Sequence, residues 1–162
     1  MAAGFVDGRD GLGGVVSQFC MELAIKKAKE AGVGWVTARN SNHFGIAGHY
    51  SIMAQREGLL GLSFTNGSPW VTATRSRGAR VMSTNPISFT APGSGGDGLE
   101  LDMATATVAV GKLEVAAVKG EEIPACWAVD GEGRETRDPR RAMREGAGLP
   151  LGGPEETGGY KG

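Results

Sequence analysis

Val33-Gly34-Trp35-Val36-Thr37-Ala38-Arg39-Asn40-Ser41-Asn42-His43-Phe44-Gly45-Ile46-Ala47-Gly48-His49-Tyr50-Ser51 is the stretch on which the fold turns. Val33 to Ala38, rich in β-branched and aromatic side chains, reads as a strand. From Ala47 to Glu57 the apolar positions Ala47, Tyr50, Met53 and Ala54 recur at helical spacing, and Gly58 suits a left-handed stop. The glycine-edged loop between them carries His43. Loops at the ends of packed elements are where chemistry is usually placed, and histidine titrates closest to neutrality. His43 is therefore the candidate acid/base, while a histidine that merely hydrogen-bonds backbone within its loop stays open on the residues alone.

Upstream, Val16, Phe19, Cys20, Leu23, Ala24 and Ala28 repeat at three- and four-residue spacing, which predicts a helix from Gly14 to Ala31 with Gly32 as its C-terminal cap. Downstream, Leu59 to Thr65 reads as a buried strand and Asn66-Gly67-Ser68-Pro69 as a turn. Arg80 to Met82 and Ile87 to Thr90 read as strands around Thr84-Asn85-Pro86, where the proline limits central pairing. Leu99 to Asp102 is a further strand, and Thr105 is placed to cap a helix with the stripe Ala106, Ala109, Val110, Leu113 and Ala117. Helices interspersed with strands predict an α/β (α+β) fold. The strands between residues 59 and 102 follow too closely for βαβ crossovers throughout, so the expectation is a mixed sheet with flanking helices. Gly131 to Gly159, rich in charge, proline and glycine, reads as a surface excursion or disordered tail.

The chain of 162 residues is expected to build one core. Seventeen Lys and Arg against eighteen Asp and Glu leave a net charge of −1, which gives no general attraction to nucleic acid or an anionic membrane. A small neutral or anionic ligand fits better. Cys20 and Cys126 form no CxxC pair, so neither a disulfide framework nor a zinc site is expected, and no metal. Reduced thiols, a Met1 to Gly14 segment without an apolar signal core, and the lack of a long apolar run point to the cytoplasm. The 28 glycines follow no fixed period and read as tight turns.

Gly93-Ser94-Gly95-Gly96-Asp97-Gly98 satisfies GxGxxG formally, yet a strand follows it where a phosphate-binding helix is required, so it reads as a hairpin turn. The Asp102-Met103-Ala104-Thr105 corner has two readings: a carboxylate at a strand end that meets ribose hydroxyls beside free helix amides, or a plain helix cap. Gly158-Gly159-Tyr160-Lys161-Gly162 offers a lysine to phosphate or is a solvated tail. His49 lies off the His43 face and reads as structural or surface, and Trp35, Trp70 and Trp127 as core or lid packing. The absence of GxSxG weakens any hydrolase reading.

Taken in order, Asp7-Gly8, Asn40-Ser-Asn-His-Phe-Gly45, Thr84-Asn-Pro86, Leu101-Asp-Met-Ala-Thr105, Gly111-Lys112, Ile123-Pro124, Trp127-Ala128 and Gly159-Tyr-Lys-Gly162 resemble the malate/L-lactate dehydrogenase family of 2-hydroxyacid oxidoreductases, which includes ureidoglycolate and sulfolactate dehydrogenases. The resemblance implies a non-Rossmann fold that binds NAD or NADP, usually as a homodimer, and moves a hydride between nicotinamide and a small 2-hydroxy or 2-oxo acid, malate- or lactate-like. It implies that His43 exchanges a proton with the substrate oxygen. It also implies cofactor contacts at Asp102, Met103 and Ala104, at Lys161 and Gly162, and at Gly67 and Ser68. Gly67 stands where relatives often carry serine or threonine, and Ser83 where glycine is common. Arg75, Arg77 and Arg80 are candidate cations for an NADP 2′-phosphate. Relatives are longer, so the expectation for 1–162 is a central NAD(P)-binding region without the N-terminal substrate-binding and C-terminal completing segments. A non-catalytic form that binds nucleotide weakly or pairs with another subunit is the second reading.

Overall fold

The computed structural model describes residues 1–76 and 78–161, so Arg77, Gly162 and the side chain of Lys161 lie outside the described residues. The chain runs through β1 (Ala3–Gly11), α1 (Gly13–Ala31), β2 (Trp35–Ser41), α2 (Ala47–Arg56) and β3 (Gly61–Phe64). It continues through β4 (Val71–Thr72), β5 (Arg80–Met82), β6 (Ile87–Pro92) and β7 (Gly98–Met103). Then come α3 (Val110–Lys119), β8 (Ala128–Val129), α4 (Pro139–Glu145) and β9 (Ala147–Gly148). Two compact units replace the single expected core: Met1–Phe64 with Ile87–Asp102, and Thr65–Pro86 with the residues from Met103 onward.

In the first unit β1 and β2 pair in parallel from Ala3↔Trp35 to Asp7↔Arg39, with α1 as the crossover between them. The spacing of the apolar residues places α1 within one residue of its observed start. The helix ends at Gly32, whose φ of 80° lets its N–H reach the Ala28 carbonyl. Strand β1 was not foreseen: its sequence AGFVDGRDG is loaded with glycine and aspartate, which depress strand propensity, and the pairing with β2 overrides that local preference. Strands β3 and β6 are antiparallel, with Leu62↔Phe89 in register, and β7 lies beside β6. The glycine run between β6 and β7 is the expected turn, with Gly95 and Gly96 at φ 69° and 92°. Buried hydroxyls tie α2 to this sheet: Ser51 Oγ lies 2.6 Å from Ser88 Oγ, and Thr90 Oγ1 donates to the Ser51 carbonyl at 2.7 Å.

The second unit holds a mixed sheet in the order β5-β4-β9-β8, with β4 and β9 parallel and the outer pairs antiparallel. Trp70, Val71, Ala106, Leu113, Ile123 and Ala142 form its core. The segment read as an excursion or tail is packed structure. Asp138 caps α4 by accepting the N–H groups of Arg140 and Arg141, Pro139 takes the first helical turn, and Ala142 and Ala147 are fully buried. Two of its exposed arginines, Arg134 and Arg141, reach the buried Asp130. That carboxylate accepts the backbone N–H groups of Arg134 and Glu132 and pairs with Arg141 and Arg134, which together hold its titration below the usual carboxylate range, the Arg134 N–H first among them.

Candidate functional site

His43 lies in the loop between the carboxyl end of β2 and the start of α2, in the first unit. Its ring is exposed, and Nδ1 accepts the Gly45 N–H at 3.1 Å. That contact places the proton of the neutral imidazole on Nε2. Gly45, at φ 89°, gives the turn that brings its N–H back to the ring.

The loop is held on every side. Asn42 Nδ2 donates to the carbonyls of Asp10 and Gly11, each at 3.0 Å. Asn40, in a left-handed conformation at φ 50°, donates from Nδ2 to Asp7 Oδ1, and Arg39 donates to Asp7 Oδ2. The Arg9 N–H, then Asn40 and Arg39, hold the Asp7 carboxyl below its ordinary range. The Phe44 ring stacks on Tyr50 with centroids 5.1 Å apart, and the Tyr50 hydroxyl donates to the Phe44 carbonyl. Burial raises the Tyr50 titration above that of a free phenol, so this strut keeps its proton. Gly13, at the head of α1, completes the wall: a Cβ there would stand 2.1 Å from the Asn42 carbonyl oxygen and 2.3 Å from that of His43. Sequence spacing gave no sign that Gly13 and Asp7 belong to this loop, although Asp7-Gly8 was among the resembling motifs.

Asp102 also sits in this unit, and the helix it meets is not the one its corner was read to cap. Helix α3 begins only at Val110, after Ala109, and Thr105 Oγ1 instead donates to the carbonyls of Thr84 and Asn85 at 3.2 Å each. Neither Asp102 nor Thr105 caps α3. The helix end beside Asp102 is that of α2: Oδ2 accepts the Gly48 N–H at 2.8 Å. Ile46 at the N-cap of α2 has no side-chain oxygen to do so. Asp102 thus holds the first turn of the helix into which the His43 loop leads.

In the second unit Gly67 and Ser68 are exposed in the segment before β4, and Met103 and Ala104 leave β7 half-buried, with Ala104 against the core. Lys161 closes the described chain within the short turn Gly159–Lys161.

The malate/L-lactate dehydrogenase family model matches residues 1–162. The chain belongs to that family. Malate dehydrogenase from Pyrococcus horikoshii is 51% identical over 158 residues, covering 97% of this chain and 43% of the relative. L-sulfolactate dehydrogenase from Methanocaldococcus jannaschii is 45% identical over 157 residues, covering 97% of this chain and 45% of the relative. Among solved structures, malate dehydrogenase from Entamoeba histolytica superposes with a TM-score of 0.90 at 33% identity over 99% of this chain and 46% of its own. The chain spans less than half the length of these relatives. The motif resemblance and the expected mixed α/β fold are both borne out.

Two departures from the family pattern acquire a physical meaning. The space that a Cβ at Gly67 would need is taken by the Ser83 hydroxyl, 2.6 Å away. The Ser83 hydroxyl thus stands where a side chain at position 67 would begin. Of the arginines considered for a ribose 2′-phosphate, Arg75 is a bidentate partner of Glu155. Arg80 donates to the carbonyls of Gly146 and Met143 and lies over the Trp70 ring, 5.1 Å from its centroid. Both guanidinium groups are already committed within the second unit.

Proposed function

We propose that this chain is the NAD(P)-binding, proton-exchanging region of an oxidoreductase that moves a hydride between the cofactor and a small 2-hydroxy/2-oxo acid. The family-ordered loop that carries His43 into a helix whose first turn is held by the Asp102 carboxylate supports this reading. NADP enters beside NAD because one relative is a (2R)-3-sulfolactate dehydrogenase (NADP(+)) from Chromohalobacter salexigens. Reductases of pyrroline-2-carboxylate, such as that of Pseudomonas putida, widen the class to cyclic imino acids.

Bound cofactor supplies or takes the hydride at the α-carbon of the acid. His43 handles the matching proton at the substrate oxygen, giving it up as the oxo acid is reduced and taking it as the hydroxy acid is oxidised. The acid form needs protons on both ring nitrogens, and the base form needs Nε2 bare with the proton on Nδ1. Either working form places a proton where the Gly45 N–H now points. The observed contact is that of the neutral tautomer with Nδ1 accepting and Nε2 protonated.

The residues present fit the cofactor. In the first unit Asp102 keeps one oxygen outside its Gly48 contact, an acceptor suited to ribose hydroxyls. In the second unit, taken by itself, the Gly67 segment carries backbone groups and the hydroxyls of Ser68 and Ser83. Met103, Ala104, Lys161 and Gly162 extend the same assignment. The reading includes a cytoplasmic homodimer, whose substrate carboxylate is held by an N-terminal segment.

A non-catalytic module that pairs with another subunit is the competing reading. Large exposed side chains on β3 and β7 favour it: Leu62, Phe64 and Leu99 are each at least half exposed. Fluorescence titration with NADH and NADPH, with the oligomeric mass measured alongside and turnover assayed on malate, lactate and sulfolactate, separates the two. Saturable binding with turnover near or above about 1 per second establishes the enzyme in this chain. Binding without turnover places chemistry in a longer assembly, and absence of binding overturns the proposal.

A further inference from the structure

Helix α2 starts without a cap of its own, so its first-turn amides need an outside acceptor, and Asp102 from β7 provides it. The approach depends on residue 48 being glycine: a Cβ there would lie 2.5 Å from Asp102 Oδ2 and 3.0 Å from its Cγ. The strand is fixed to the helix at the neighbouring residue too, since Ser88 Oγ donates to the Leu101 carbonyl at 2.8 Å while it meets Ser51 of α2. From α2 the constraint passes to the loop through Tyr50, hydrogen-bonded to the Phe44 carbonyl and stacked on the Phe44 ring. His43 is the next residue.

We propose that Asp102 is a positioning residue for His43: Oδ2 fixes the first turn of α2 and, through Tyr50 and Phe44, the imidazole, while the other carboxylate oxygen receives the cofactor ribose. The inference rests on the reading of His43 and the cofactor given above. One carboxylate then serves both ends of the reaction, so filling the ribose site tightens the alignment of the proton-exchanging ring.

Asparagine at position 102 keeps an oxygen for the Gly48 N–H, and alanine does not, which gives a rescue test. In ¹⁵N-labelled full chain, Asp102→Ala should speed hydrogen exchange at the Gly48 amide about tenfold and move the His43 ring nitrogen shifts away from the tautomer in which Nδ1 accepts. Asp102→Asn should restore both. If Asp102→Ala does not fold, Gly48→Ala, which pushes the carboxylate aside, should move the same His43 signals. Unchanged ring nitrogens in Asp102→Ala, or an asparagine variant that behaves as alanine, overturn the positioning role. NADH should shift the Gly48 amide in the wild type and not in Asp102→Ala. A titration that leaves every amide unmoved overturns the cofactor reading and the shared carboxylate, and the exchange and ring-nitrogen data decide the positioning role by themselves.

Discussion

Replacing Gly13 by alanine should damage the His43 loop although residue 13 is far from it in sequence. The added Cβ would stand 2.3 Å from the His43 carbonyl oxygen, and a comfortable carbon–oxygen contact is about 3.3 Å, so the loop or the helix must yield by about 1 Å. The three obstructing atoms are all backbone, 2.1, 2.3 and 2.6 Å away, and cannot rotate aside as a side chain would. Overpacking of this kind costs about 1–3 kcal/mol, and the helix preference of alanine over glycine offsets roughly 0.5–1 kcal/mol. The net loss of about 1–2 kcal/mol corresponds to a fall in Tm of roughly 2–8 °C for a chain of this size.

The adjacent residue is the control. A Cβ at Gly14 meets nothing nearer than the Tyr50 hydroxyl at 4.0 Å, so Gly14→Ala should leave Tm unchanged or raise it. Circular dichroism melts of both variants, with ¹⁵N spectra of the His43 ring, check the contrast. Where the chain turns over a hydroxy acid, kcat of Gly13→Ala should fall roughly 100-fold, the usual effect of a 1 Å misplacement in a reacting site. Equal melting temperatures and identical His43 signals in the two variants would refute the claim that α1 is a steric wall for this loop.

Gly67→Ser alone should weaken NADH binding, because its Cβ collides with the Ser83 hydroxyl, and pairing it with Ser83→Gly should restore affinity; equal effects of the single and paired changes would dismiss the exchange of hydroxyls. Ser83→Gly alone should raise the NADH Kd by up to about tenfold, read by fluorescence titration. Asp130→Asn should flatten the acid limb of the stability curve. The folded Asp130 carboxyl titrates below its ordinary range, so its contribution is complete above the unfolded carboxylate range and is lost as pH falls through the folded value, a loss the variant cannot show in acid titrations followed by circular dichroism. Arg75→Ala should leave the ratio of NADPH to NADH affinity unchanged, since Glu155 already holds that guanidinium; a selective loss of NADPH would return Arg75 to the cofactor.

Periodicity located α1, α2 and the turn between β6 and β7, because in each the burial pattern and the glycine stops agree with the local preference of the chain. It failed where partners far away in sequence decide. Strand β1 exists through its parallel pairing with β2, which glycine and aspartate in its own sequence conceal. The start of α3 moved from Thr105 to Val110 because the Thr105 hydroxyl is drawn to the Thr84 and Asn85 carbonyls. The charged stretch after Gly131 resembled a tail because a run of arginines normally marks solvent, and nothing local shows that Asp130 is buried beneath them.

The candidate residues divide in the same way. His43 stands out by its residue type, and Asp102 as a carboxylate at a strand end. The partner of Asp102 does not, because a helix cap is conventionally sought in the residues just before the helix, and α2 takes its cap from a strand 54 residues onward. Gly13 and Gly48 mark the positions where that long-range geometry is enforced, and each does so by lacking an atom. A sequence displays side chains that make contacts and is silent about side chains that must be absent, so the constraints that aim the imidazole become visible only when the backbones of α1, α2 and β7 are seen against the loop. Substitutions that add a single methyl group at these glycines are accordingly sharper probes of the His43 loop than truncations of its larger neighbours, for they test placement without removing any polar group of the loop.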